Sequence, residues 1–235
     1  MAKPCFYYPD LIGNTEVGSC YELPASESAH ALQSRRLNVG SQIQLIDGIG
    51  CLAEAVIVES GRRVVSVQID SISELSRTKP LVHCFIAMPK GDRQKVMVDM
   101  LTQIGVASIT PLACERSISV PKATQLEKLA RVSIEACKQS KNAFAVKIEK
   151  PREFNELFGR DGVLVFCDQL GNNWREAKKQ FATALNIMLV IGPEGGFSDT
   201  ELTALRKANA CSLALGQHIL RTELAAISAA ALFAC

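Results

Sequence analysis

From Leu81 onward the chain alternates short apolar runs with stretches of helical periodicity, and this alternation limits the fold more than any other feature. LVHCFIAM (81–88) reads as a strand, and KGDRQKVMVDMLTQIG (90–105) follows with apolar residues at 96, 97, 100, 101 and 104, the spacing of one helical face. VASITPL (106–112) is a second strand, and PKATQLEKLARVSIEACKQS (121–140) a helix with Pro121 near its first turn. GVLVFCD (162–168) is a third strand and NNWREAKKQFATAL (172–185) a helix, after which two more strand, turn and helix units follow. Strands that alternate regularly with helices predict an α/β domain with a largely parallel sheet.

The last two units carry the chemistry. In IMLVIGPEGGFS (187–198) an apolar strand ends at Ile191, and a Pro/Gly turn leads to a helix starting near Ser198. Ser198 with Glu201 three residues on fits a capping box. Gly192, Gly195 and Gly196 can take positive φ and let the backbone approach a ligand closely. In LALGQHILRTELA (213–225) the pattern repeats: CSLAL (211–215) is a strand, Gly216 a turn, and Thr222 a cap for ELAAISAAALFA. Both loops then lie on one sheet edge, where open α/β sheets bind ligands. Neither G-x-G-x-x-G nor G-x-x-x-x-G-K-[ST] occurs, and GPEGGF holds Glu194 but no lysine, which suits a triphosphate poorly. A nucleotide hydrolase using GPEGG as a phosphate loop is therefore disfavoured. A neutral or cationic ligand such as S-adenosylmethionine fits better.

The first 75 residues differ in texture. QIQLID (42–47), CLAEAVIV (51–58) and RVVSVQID (63–70) are alternating, β-branched runs separated by DGIG and ESGR turns, which predicts a small barrel or curled sheet. ESAHALQSRRL (27–37) reads as a helix or helical turn ahead of it. Polar SISELSRTKP (71–80) marks the expected boundary, dividing the chain into 1–75 and 76–235. Residues 1–75 hold 5 basic against 9 acidic groups, and the remainder 21 against 15, so a basic excess falls on the larger part, mostly between Arg77 and Arg152. Such an excess suits an RNA-facing surface as well as ordinary solvated helix faces.

The nine cysteines are scattered without a C-x-x-C pair, and His30, His83 and His218 show no ligand spacing, so neither a disulfide framework nor a metal site is expected. No apolar run approaches the roughly 20 residues of a membrane span, and MAKPCFYYPD lacks a signal pattern; the expected location is the cytoplasm.

GPEGGFSDTEL (192–202) followed by LALGQHILRTELAA (213–226) resembles the C-terminal signature of the RsmE family of SPOUT methyltransferases, which act on N3 of a uridine in small-subunit (16S) ribosomal RNA. The resemblance spans essentially the whole chain. KGDRQKVMVDMLTQIGVASITPLACERS (90–117) is similar to the family's lysine, helix, LGV and ERS region, and IEACKQS (134–140) to its EAxxQS helix. HALQSRRLNVGSQIQLIDGIG (30–50) is similar to its HxxxxLRxxxGDxIxLxDGxG stretch.

The resemblance implies an α/β protein with a C-terminal SPOUT, trefoil-knotted methyltransferase domain and an N-terminal PUA-like β-barrel that positions RNA. It implies S-adenosyl-L-methionine as cofactor, 16S ribosomal RNA or the small ribosomal subunit as partner, and a homodimer. Carried onto this chain, Gly192, Pro193, Glu194, Gly195 and Gly196 form one cofactor loop, and Leu215, Gly216, Ile219 and Leu220 the other. Arg221 becomes the catalytic cation, holding an RNA phosphate or stabilising the uracil oxygens, and Glu223 orients it or relays a proton. Arg36, Lys90, Arg116 and Lys141 become RNA contacts. The family's K-x-x-E-L-G is DMLTQIG here, its Q-S-x-R is Gln139 to Asn142, and no arginine follows the first methionine closely. These departures fall on RNA contacts and leave two alternatives beside the main reading: methylation of a different RNA site, or a non-catalytic RNA-binding module of the same fold.

Overall fold

A computed structural model describes residues 3–177, 181 and 183–234. Its contacts divide into two compact units: Met1–Arg77 with Ile134–Ala145, and Thr78–Ser133 with Val146–Cys235.

The first unit contains β1 (Cys5–Tyr7), a helical turn α1 (Leu11–Asn14), β2 (Cys20–Glu22), α2 (Ala25–Ala29), β3 (Gln42–Ile46), β4 (Cys51–Ser60) and β5 (Val65–Glu74). The five strands pair in the order β1-β3-β4-β5-β2, with β1 parallel to β3 and the other pairs antiparallel. Alternation in β4 sends Cys51, Ala53, Ala55 and Ile57 inward, where they meet Phe6, Ile43, Leu45, Val67 and Ile69. The helix or helical turn expected over 27–37 is present as α2 followed by a π-helical turn, His30–Ser34. At the DGIG turn Asp47 Oδ1 accepts from the amides of Ile49, Gly50 and Cys51 at 2.8, 3.0 and 2.9 Å, closing the β3–β4 hairpin. Lys138, within this unit, is buried and ion-paired to Glu27 at 2.8 Å and Glu135 at 2.9 Å.

The second unit contains β6 (Leu81–Ile86), α3 (Arg93–Ile104), β7 (Ser108–Ala113), most of α4 (Ala123–Ser140), β8 (Lys147–Ile148), β9 (Arg152–Glu153), β10 (Val163–Asn172), α5 (Trp174–Ala177), β11 (Asn186–Ile191), α6 (Asp199–Lys207), β12 (Cys211–Leu213) and α7 (Thr222–Ala234). Its sheet runs β12-β10-β11-β6-β7-β8, with β9 also on β7, and every pair is parallel. Alternate residues feed two cores: Val82, Cys84 and Ile86 join α3 and α7 on one face, while Phe85 and Ala87 join Leu112, Phe166, Val190 and Leu205 on the other. Of the expected helix over 172–185, Lys178, Lys179, Gln180 and Ala182 lie outside the described residues, as does Cys235.

α3 is rotated relative to the expected stripe. It buries Gln94, Met97, Val98, Leu101 and Thr102 and leaves Val96 and Met100 exposed. Polar Gln94 and Thr102 are buried because each is bonded: Gln94 accepts from Gln125 at 2.7 Å, and Thr102 donates to the Val98 carbonyl at 2.8 Å. Gly105, at φ +95°, ends the helix and turns its amide back to the Leu101 and Thr102 carbonyls. Among the described residues no helix is long and apolar enough to cross a membrane.

Candidate active site

β12, β10 and β11 are adjacent and parallel, so the loops leaving their C-terminal ends lie side by side. Together they enclose a cavity of about 410 Å³, within the usual range for small-ligand sites. The loop after β11 contributes Gly192, Pro193, Glu194, Gly195 and Gly196, and the loop after β12 contributes Leu215, Gly216, Ile219 and Leu220. Every residue expected of the two loops therefore lines one cavity. A third wall, not anticipated from the sequence, is Cys167, Asp168 and Gln169. His218 and Thr222 complete the polar lining, while Ile191, Leu213 and Ala225 form an apolar base. A larger cavity of about 560 Å³ near His83, Ser108 and Asn186 adjoins the starts of the strands, the edge where parallel sheets seldom hold ligands.

The glycine loop is held from outside. Ser198 Oγ accepts from the Glu201 amide at 3.3 Å, and Glu201 Oε2 accepts from the Ser198 amide at 2.8 Å, the expected capping box. Glu201 Oε1 also accepts from the Glu115 amide at 2.8 Å, which fixes the 114–117 turn beside α6. From that turn Arg116 Nη1 donates to the carbonyls of Gly195 at 2.9 Å and Phe197 at 3.2 Å. Of the three loop glycines only Gly196, at φ +71°, uses left-handed backbone. Gly192 serves by its small size, since a Cβ there would stand 3.1 Å from the Phe197 ring.

The third wall depends on Gly171. A Cβ there would lie 2.7 Å from Leu213 N and 2.8 Å from two backbone carbons, so only glycine lets the bulged end of β10 return to β12. The return is sealed by the Ala214 amide donating to the Asn172 carbonyl at 2.8 Å. Cys167 is part of this wall, and burial pushes its thiol up to about 12.

At the start of α7 the capping position belongs to Arg221, whose carbonyl accepts from the Ala225 amide at 2.9 Å. Thr222, expected as the cap, is the first helical residue and reaches the Gly192 carbonyl at 3.4 Å. The Arg221 side chain is exposed, between the cavity-lining residues Leu220 and Thr222. Glu223 points to a residue that sequence reasoning passed over: Arg93, at the start of α3, contacts Glu223 Oε2 at 3.5 Å and Glu194 Oε1 at 3.1 Å. Of the expected RNA contacts, Arg36 and Lys141 lie in the first unit, both exposed with positive φ, and Lys90 and Arg116 lie exposed in the second. Among the described residues no three metal-ligating side chains cluster.

Residues 77–234 match the family model described as an RNA methyltransferase domain. The chain belongs to this RNA methyltransferase family. Residues 23–70 match the RNA methyltransferase PUA domain, consistent with the curled five-stranded sheet of the first unit. The ribosomal RNA small subunit methyltransferase E of Mycobacterium bovis is 28% identical over 234 residues, covering 94% of this chain and 87% of that protein. Its Rickettsia conorii counterpart is 29% identical over 219 residues, covering 89% and 87%. Both relatives carry the name of the RsmE family that the sequence resembles.

Among solved structures, a Legionella pneumophila methyltransferase in complex with bound SAM superposes with a TM-score of 0.86 at 28% identity, over 99% of this chain and 97% of that one. A ribosomal RNA small subunit methyltransferase E from Neisseria gonorrhoeae bound to S-adenosyl methionine reaches 0.88 at 24% identity, over 98% and 96%, and shows that the fold is shared. The methyltransferase domain thus covers the three loops, the cavity and Arg93.

Proposed function

We propose that this RNA methyltransferase uses S-adenosylmethionine, held in the three-loop cavity, to methylate N3 of a uridine in 16S ribosomal RNA. The observation that carries the reading is the convergence of both predicted loops on one cavity at the C-terminal edge of the parallel sheet. The cavity fits the cofactor: its base is apolar, its rim is glycine-rich, and Asp168 supplies negative charge suited to a cation, while Glu194 is ion-paired to Arg93. The bound cofactor supplies a methyl group on a positively charged sulfur. The chain's own residues must then free a lone pair on uracil N3, which carries a proton in the neutral base. Losing that proton spreads negative charge onto the uracil oxygens, and Arg221, an exposed cation beside the cavity, is the group to offset it. Glu223, fixed through Arg93 in the first turn of α7, orients the approach or takes the proton.

Residues 1–75 serve in this reading as the RNA-positioning module and 76–235 as the catalytic one, in a cytoplasmic homodimer with the trefoil-knotted crossing of its family. Arg36, Lys90 and Lys141 contact phosphates, with a salt-dependent affinity. Arg116 is already bonded to loop carbonyls, so its first role is to hold the cofactor loop. Calorimetric titration with S-adenosylmethionine, with ATP as comparison, tests the cavity: micromolar binding of the first and none of the second is expected. Binding of ATP alone would favour a nucleotide hydrolase.

A further inference from the structure

Arg93 lines no wall of the cavity, yet it grips two of the elements that frame it. Its Nη2 lies 3.1 Å from Glu194 Oε1, on the glycine loop after β11, and its Nη1 lies 3.5 Å from Glu223 Oε2, in the first turn of α7. Glu194 lines the cavity, and Glu223 falls between the lining residues Thr222 and Ala225. The backbone of Arg93 is anchored as the first residue of α3, after Asp92 at the capping position, and its side chain, 36% exposed, is held by the two carboxylates. A planar fork presents separate nitrogens to two carboxylates, which a lysine cannot do with one point charge. A further link between these two elements, from Thr222 Oγ1 to the Gly192 carbonyl, is long at 3.4 Å. Without the guanidinium, two carboxylates would face one another across the gap and push the loop and helix apart.

We propose that Arg93 is a positioning residue: it ties the Glu194 loop to the start of α7 and so sets the width of the cofactor cavity and the placement of Glu223. The inference rests on the methyltransferase reading of that cavity. It assigns Arg93 to cofactor binding rather than to RNA, although by composition Arg93 belongs to the basic stretch that looks RNA-facing.

The test is S-adenosylmethionine calorimetry on the full chain, native and Arg93→Gln, which keeps a long polar side chain and removes the charge. Affinity should fall about tenfold in R93Q, and by less in R93Q/E194Q relative to E194Q, because the partner is already gone. R93K should recover part of the loss. In methyl-transfer assays with 16S ribosomal RNA, the KM for S-adenosylmethionine should rise in R93Q while the KM for RNA stays within about twofold. Native-like binding by R93Q would overturn the inference, and so would a rise in the RNA KM alone, which marks a phosphate contact. If R93Q does not fold, E194Q and E223Q carry the test, each expected to weaken cofactor binding; native affinity in both would overturn it. Failure of the methyltransferase reading shows elsewhere, in a native protein that binds no S-adenosylmethionine.

Discussion

Arg116 donates to the Gly195 carbonyl at 2.9 Å, a contact spanning 79 residues of sequence. The same nitrogen reaches the Phe197 carbonyl, so one side chain braces the glycine loop at two points. Arg116→Ala should therefore weaken S-adenosylmethionine binding by about five- to tenfold, the loss of charge-assisted hydrogen bonds discounted for exposure. Calorimetry checks this. A variant with native cofactor affinity but reduced RNA affinity would return Arg116 to the phosphate-contact role.

Gly171→Ala places a methyl group into the backbone of β12, at 2.7 Å from Leu213 N. Backbone cannot rotate away as a side chain can, so the bulge must shift, at a cost of about 1–3 kcal/mol. The wall formed by Cys167, Asp168 and Gln169 shifts with it. Urea unfolding should show the loss of stability, and cofactor binding should fall further than in Arg116→Ala.

Glu27→Gln leaves Lys138 buried with only Glu135 as a charged partner. Removing one member of a buried pair costs about 3 kcal/mol, seen as a lower urea midpoint. Burial by itself lowers the Lys138 pKa, but the hydrogen bonds and charges of Glu27 and Glu135 outweigh it and raise the value above 10.5. A lysine whose folded value is raised contributes stability that is fully present below its unfolded pKa and is lost as pH rises through the folded one. The stability difference between native protein and Lys138→Met should thus hold at neutral pH and shrink above pH 10.5.

Thiol labelling reports on burial. Cys20 is exposed, whereas burial pushes the thiols of Cys5 and Cys51 up to about 11 and those of Cys114 and Cys137 up to about 12. The thiolate is the reactive form, so a maleimide at pH 7.5 should modify Cys20 rapidly and these four only on unfolding. Peptide mapping distinguishes them, with Cys235 lying outside the described residues.

What was legible in the sequence was local. The capping box at Ser198 and Glu201 and the alternation in β4 each depend on residues a few positions apart, and the structure contains both. The two cofactor loops were legible because strand ends and glycines mark them, and the parallel sheet brings them together. Features set by distant partners were not. Nothing near Gly171 signals that β12 passes against it, and nothing near Arg93 signals two carboxylates 101 and 130 residues away. The same holds for the buried face of α3: Val96 and Met100 match the apolar stripe, but Gln94 and Thr102 are the residues whose polar groups find partners inside.

The most direct measurement is mass spectrometry of nucleosides from 16S ribosomal RNA or small subunits after incubation with the protein and deuterated-methyl S-adenosylmethionine. The account predicts labelled 3-methyluridine at one site with native protein, and none with Arg221→Ala. Unlabelled RNA from a folded protein that binds S-adenosylmethionine, or label on another nucleoside, would contradict it.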